Sequence, residues 1–163
     1  MDNSIVKIVI SVLACLAAGG IGSIFTFKAI PSWYPRLKKP RYTPPDQVFG
    51  PVWTTLYILM GLSVFFVWQT GLTVEGAILA FILFWVQLVL NALWSIIFFG
   101  MKSKGGGVIM IIVLWFLILA TIITSFQVSI WAGILLIPYI LWVSVATYLN
   151  VGIWWLNKPQ KNI

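Results

Sequence analysis

Five long apolar runs, each nearly free of charge, constrain this chain more than any other feature of its sequence. The hydrocarbon core of a bilayer is about 30 Å thick and requires roughly 20 apolar residues in a helix. Segments of that kind occupy residues 5–27, 45–69, 76–99, 107–126 and 130–156. The first segment begins like a signal peptide, but its length and poor cleavage site favour a retained span. The sequence therefore predicts one all-α domain over residues 1–163, an integral membrane bundle of five transmembrane helices.

Composition excludes a soluble domain and most polar chemistry. Hydrophobic residues make up 61% of the 163 residues and charged residues 8%, more apolar surface than a soluble body of this size can bury. The chain has no His, one cysteine (Cys15) and three carboxylates (Asp2, Asp46 and Glu75). The usual general base, metal ligand and haem ligand are therefore missing, and an intramolecular disulfide is impossible. We expect no metal site and no required cofactor, and hydrolase or dehydrogenase chemistry is disfavoured.

Loop charge predicts the orientation of the spans. With five helices, one side of the membrane carries a single basic side chain, Lys7. The other side carries Lys28, Arg36, Lys38, Lys39, Arg41, Lys102, Lys104, Lys158 and Lys161. Because basic loops stay in the cytoplasm, the first loop and the C-terminus are expected there. The net charge of +7 then indicates anionic lipid headgroups as partners, and not nucleic acid.

The first loop, residues 28–44, is the longest connection between spans. It contains four prolines (Pro31, Pro35, Pro40 and Pro44) and the adjacent aromatic residues Trp33 and Tyr34. Long loops in compact proteins are usually functional or disordered. Proline stiffness favours a packed lid over the bundle, and a basic tether facing lipid is the alternative.

Uncharged polar and aromatic side chains recur at spacing four on three spans. The three sets are Gln87, Asn91 and Ser95; Trp142, Ala146 and Asn150; and Phe49, Trp53 and Tyr57. Each set shares one helix face. Such faces suit a flat hydrophobic ligand that stacks on rings and is oriented by amides. The alternative is that the amides bond neighbouring helices and the rings only pack. Small residues at the same spacing, Ala14, Ala18 and Gly22, and then Gly76 and Ala80, allow close helix approach within or between subunits.

Three stretches in order resemble the translocator protein family, whose members are also called tryptophan-rich sensory proteins or peripheral benzodiazepine receptors. The first is WYPRLKKPRYTPP at 33–45, continuing as GPVWTTLY at 50–57. The second is LNALWSIIFFG at 90–100. The third combines IPYILW at 137–142 with ATYLN at 146–150. The similarity covers nearly the whole chain.

This resemblance implies a homodimeric five-helix bundle with a pocket beneath the first loop that binds porphyrins, such as protoporphyrin IX or haem. Some members also bind sterols or benzodiazepine-like ligands. Matched position by position, the ligand-binding residues are Tyr34, Pro44, Phe49, Trp53, Asn91, Trp142, Ala146 and Leu149. Some bacterial members degrade porphyrin in light, and the resemblance assigns that catalytic role to Trp53 and Trp142.

One departure concerns the cholesterol-recognition pattern of animal members. That pattern needs a tyrosine after the Leu-Asn pair and a basic residue soon after. Here Val151 follows Asn150, and Trp155 stands where the arginine would be. High-affinity sterol binding at that position is therefore not expected. This variation favours a bacterial plasma-membrane member over a mitochondrial one.

Three functions follow as expectations. The first is a receptor or sensor that binds porphyrin. The second is a weak light-dependent enzyme that degrades porphyrin and needs no acid–base group. The third is a facilitator of porphyrin or sterol transport, against which the sequence shows no internal repeat and no intramembrane ion site.

Overall fold

The computed structural model describes residues 3–158, so Asp2 and Lys161 lie outside the described part of the chain. Five α-helices follow one another: α1 Asn3–Ala29, α2 Asp46–Thr70, α3 Ala77–Ser95, α4 Lys104–Val128 and α5 Ile130–Leu156. A π-helical turn, Ile96–Gly100, continues α3. All five are long and apolar enough to cross a membrane. The predicted all-α membrane bundle is confirmed.

The helices form a closed ring in the order α1, α2, α5, α4, α3. In this ring α1 packs on α2 and α3, α2 packs on α5, and α4 packs on both α3 and α5. Met60 and Val64 of α2 and Leu136, Tyr139 and Val143 of α5 are fully buried at its centre. Since the outer faces carry exposed isoleucines, leucines and valines, the surface of the bundle is itself apolar and suits lipid.

Helix boundaries depart from the sequence expectation by one to three residues, and two of the departures have a clear local cause. The fourth helix begins at Lys104, three residues before 107, because the Ser103 hydroxyl accepts a hydrogen bond from the Gly106 N–H at 3.2 Å. Such a cap satisfies one of the free N–H groups of the first turn. Between α4 and α5 only Ser129 remains, an extended residue that ends one helix and starts the next. The last two spans are therefore a tight hairpin.

The first loop, residues 30–45 in the structure, is packed against the bundle. It contains a short 3-10 helix, Tyr34–Arg36, in which Tyr34 is only 3% exposed. The Tyr34 ring lies 5.9 Å from that of Phe99, and the Trp33 ring lies 5.6 Å from that of Phe98. Both phenylalanines belong to the π-helical turn, a feature frequent at functional sites, and both are buried. The loop is thus a lid whose rings rest on the end of α3.

The first loop, the connection between α3 and α4, and the C-terminal end of α5 lie at one end of the bundle. The Lys104 ammonium donates to the Asn157 carbonyl at 3.0 Å. The Asn157 side chain in turn bonds the backbone of Lys38. The segments that carry nearly all the basic residues therefore share one face of the protein.

Candidate ligand-binding cavity

A cavity of about 540 Å³ lies beneath the first loop, between α1, α2 and the end of α3, with one contact from α5. This volume is within the usual range for small-molecule sites, about 300–1,000 Å³. Its lining residues are Leu16, Gly19, Gly20, Ser23, Thr26, Phe27, Ile30, Tyr34, Asp46, Gln47, Phe49, Gly50, Trp53, Thr54, Tyr57, Trp94, Ser95, Phe99 and Ala146. Glycines at its edge are open: a β-carbon added at Gly20 or Gly50 would meet nothing within 4 Å.

Trp53 is the centre of the ring cluster that forms the cavity wall. Its ring lies 5.8 Å from that of Tyr57, 6.2 Å from that of Trp94 and 6.4 Å from that of Tyr139. Trp94 stacks on Phe98 in turn, with an interplanar angle of 7°. Aromatic neighbours at these separations hold one another in place. The cavity therefore presents a rigid apolar wall on one side.

Charge is sparse at the cavity and concentrated at its mouth. Asp46, in the first turn of α2, is the one charged side chain among the lining residues of the described chain. The Lys39 ammonium lies 3.8 Å from its carboxylate and 4.0 Å above the Tyr34 ring. Burial, with a smaller contribution from Asp46, raises the pKa of Tyr34 to about 12. The Tyr34 phenol is therefore neutral at physiological pH and remains a hydrogen-bond donor at the mouth.

A chain of buried hydrogen bonds runs behind the ring cluster, across α2, α3 and α5. The Tyr57 hydroxyl donates to the Asn91 side-chain oxygen at 2.6 Å, and the Asn91 amide donates to the Tyr139 hydroxyl at 2.8 Å. Tyr139 donates to the Gln87 side-chain oxygen at 2.9 Å. Buried polar groups are costly unless paired, so these bonds stabilise the packing of the three helices. The Asn91 side chain therefore makes its hydrogen bonds to neighbouring helices, through Tyr57 and Tyr139.

The predicted ligand-binding residues separate into two groups. Those that line the cavity are Tyr34, Phe49, Trp53 and Ala146. Those that do not are Pro44, Asn91, Trp142 and Leu149. Leu149 is packed in the interior with 3% of its surface exposed, and Asn91 has 1%.

Trp142 does not line the cavity but contacts Phe49, which does. The two rings are 5.8 Å apart, edge to face. Trp142 lines an open apolar groove of about 510 Å³ on the outer surface between α2 and α5, with Thr55, Pro138 and Leu141 among its neighbours. Its indole N–H is buried without an acceptor among the described residues. The two tryptophans that the resemblance paired thus belong to different hollows.

Sequence reasoning missed the contribution of α1 to the cavity. Leu16, Gly19, Gly20 and Ser23 form much of one wall. The available signal was the Gly19-Gly20 pair, since glycines make room beside a ring. Gly19 lies directly against the Tyr57 ring, and Tyr57 also lines the cavity.

Several members of the small-residue stripes pack within the subunit. A β-carbon added at Gly22 would lie 3.1 Å from the Ser95 hydroxyl, so this glycine faces α3. Ala80 is fully buried against Val67 and Ala132, and Gly76 takes a left-handed conformation at the start of α3. These residues explain close packing inside the bundle.

Five spans around a ligand-sized, ring-lined hollow define a membrane receptor or sensor. A sequence profile described as the TspO/MBR family matches residues 11–156, and the chain belongs to this family. The Tryptophan-rich protein TspO of Archaeoglobus fulgidus is 41% identical over 154 residues, covering 94% of this chain and 99% of that protein. The Tryptophan-rich sensory protein of Cereibacter sphaeroides is 40% identical over 130 residues, 78% of this chain and 80% of its own. The human Translocator protein is 38% identical over 135 residues, covering 82% and 80% of the two chains.

Proposed function

We propose that the chain binds a porphyrin in the cavity beneath the first loop and acts as a membrane receptor or sensor for it. The observation that carries this proposal is the cavity of about 540 Å³ with Trp53 in its wall. A flat conjugated ring gains both apolar burial and favourable ring contacts there. The name Tryptophan-rich sensory protein, borne by a relative, agrees with a sensing role.

The charges at the mouth support a ligand with an apolar body and a carboxylate edge. Lys39 lies between Asp46 and the Tyr34 ring, partly exposed. A surface ion pair of this kind contributes only about 0–1 kcal/mol, so Lys39 can exchange Asp46 for a ligand carboxylate at little cost. The neutral Tyr34 phenol supplies a second donor beside it. One propionate of a porphyrin would then be recognised at the mouth while the macrocycle lies inside.

A titration of the full chain in detergent with protoporphyrin IX tests the proposal, read by tryptophan quenching and the Soret band. In Gly50→Leu the added side chain takes space from the ligand, and affinity is expected to fall about tenfold or more. Thr55→Leu is the matched control, because Thr55 is on the same helix but lines the outer groove. Equal affinity in both variants and the wild type would place porphyrin elsewhere.

Light-dependent porphyrin degradation is a second candidate, favoured by the oxidisable rings around Trp53. Tyr57, Trp94 and Tyr139 all lie within 6.4 Å of its ring. Loss of the Soret band under illumination, absent in the dark and in Trp53→Phe, is the expected result. If the Soret band is lost at the same rate in protein-free detergent, the protein does not catalyse porphyrin degradation.

Location and assembly complete the proposal. We propose a bacterial plasma membrane with the basic end of the bundle in the cytoplasm, where anionic lipids meet its lysines and arginines. Reporter fusions at the C-terminus test this orientation. A homodimer and a transport role for porphyrin or sterol stay predictions, to be tested by cross-linking in membranes and by flux into liposomes.

A further inference from the structure

Asn157, the C-cap residue that follows α5, contacts the first loop through both the oxygen and the nitrogen of its side-chain amide. The Lys38 backbone N–H donates to the Asn157 side-chain oxygen at 3.0 Å. The Asn157 side-chain nitrogen donates to the Lys38 carbonyl at 2.8 Å. These two residues are 119 positions apart in the sequence. The amide therefore pairs with both backbone groups of one loop residue, as a residue of a neighbouring antiparallel strand would.

Asn157 is itself held in place from two sides. Its side-chain nitrogen also donates to the Ile153 carbonyl at 2.7 Å, and its backbone carbonyl accepts from the Lys104 ammonium at 3.0 Å. One turn earlier on α5, a β-carbon added at Gly152 would overlap the Pro40 ring. The loop around Lys38 and Pro40 is thus seated on the end of α5 by hydrogen bonds and by shape.

The same short stretch of loop carries the groups at the cavity mouth. Lys39, next to Lys38, supplies the ammonium above the Tyr34 ring and beside Asp46. The Leu37 N–H bonds the Tyr34 carbonyl at 3.3 Å, which joins the seated segment to the 3-10 helix. Release of Lys38 would therefore free the residues that cover the cavity.

We propose that Asn157 is a positioning residue, a clamp that holds the first loop closed over the cavity and sets how long a ligand stays bound. Only an amide can do this, because it offers an acceptor and a donor side by side. Aspartate keeps the acceptor alone, and leucine offers neither. The clamp itself is a property of the unliganded chain, and its effect on residence time rests on the proposed function.

Limited trypsin digestion of the full chain in detergent, without ligand, tests the clamp directly. The loop offers cleavable bonds after Arg36, Lys38 and Arg41. Loss of the two hydrogen bonds to Lys38 in Asn157→Leu is expected to raise loop cleavage about tenfold, through a larger open population. Asn157→Asp should be cleaved at a rate between those of the wild type and Asn157→Leu. Asn157→Gln keeps the amide, so its loop should be cleaved more slowly than that of Asn157→Leu. Asn3→Leu is the control. Asn3 is exposed at the start of α1, the end of that helix far from the first loop, so this variant should be cleaved at the wild-type rate.

Porphyrin dissociation, followed by stopped-flow recovery of tryptophan fluorescence, is the second measurement. We expect dissociation to accelerate in the same order as cleavage, with an unchanged thermal midpoint of the bundle in Asn157→Asp. Wild-type cleavage rates in both Asn157→Leu and Asn157→Asp overturn the clamp. Faster cleavage with no porphyrin binding even in the wild type leaves the clamp standing and removes the proposed ligand. Faster cleavage with unchanged dissociation of a bound porphyrin overturns the link to residence time.

Discussion

The cavity and the buried hydrogen-bond chain beside it are made of the same kinds of residues and have opposite properties. Tyr57 belongs to both: its ring lines the cavity, and its hydroxyl donates to Asn91. Behind Tyr57, the amide of Asn91 is used by neighbouring helices. In front of it, Trp53 and Tyr34 border open space. The comparison teaches that residue type and helical spacing identify the inner faces of the helices, whereas the room between those faces decides which residues can meet a ligand.

The largest expected effect comes from adding a side chain at the closely packed glycine of α2, Gly61, and comparing it with the open glycine of the same helix, Gly50. Gly61 is packed so closely that an added β-carbon would lie 2.6 Å from the Val12 α-carbon, whereas Gly50 is open. Gly61→Leu must push α1 away from α2, and we expect a loss of about 3 kcal/mol or more in unfolding free energy. Thermal unfolding in detergent measures it, with Gly50→Leu retaining the wild-type midpoint as the comparison. Equal midpoints for the two variants would contradict the close approach of the helices.

The second effect concerns the hydrogen-bond chain. Asn91→Leu leaves the Tyr57 hydroxyl without its acceptor, and we expect about 1–3 kcal/mol of destabilisation. Porphyrin affinity should stay within about threefold, because Asn91 does not line the cavity. Adding Tyr57→Phe removes the unpaired hydroxyl, so the double variant should be more stable than the sum of the single changes predicts. A large loss of porphyrin affinity with no loss of stability would move Asn91 from the packed region to the cavity.

The sequence could predict the five spans because the bilayer imposes a length and a polarity that the chain displays openly. It could not predict which faces meet, because lipid-facing and core-facing positions are both apolar in a membrane bundle. Ile82 is 52% exposed and Phe84 only 1%, yet both read as hydrophobic. Trp53 and Trp142 show the same limit: each is a tryptophan on a predicted inner stripe, yet Trp53 lines the cavity and Trp142 lines the outer groove. The α1 wall was missed because Gly19 and Gly20 mark it only by the room they leave, and not by a side chain that a ligand would contact.

The third effect separates the two tryptophans. Trp53→Phe shrinks the ring at the centre of the cavity wall, and porphyrin affinity is expected to fall about threefold to tenfold. Trp142→Phe should change affinity less than about twofold, since Trp142 lines the outer groove. Both variants lose one fluorophore, so Soret absorbance provides the measurement. Equal losses in the two variants would mean that the ligand reaches past Phe49 and that the two hollows act as one site.

The smallest effect concerns charge at the cavity mouth. Lys39→Gln should weaken protoporphyrin binding about twofold to fivefold, the range of a partly exposed ion pair, and less at high salt. The dimethyl ester of the same porphyrin lacks the carboxylates, so its affinity should not respond. Arg36→Gln removes the same charge from an exposed position of the loop and controls for general electrostatic attraction. If Lys39→Gln weakened acid and ester equally, its role would be to hold the Tyr34 ring in place, and recognition would depend on the shape of the cavity alone.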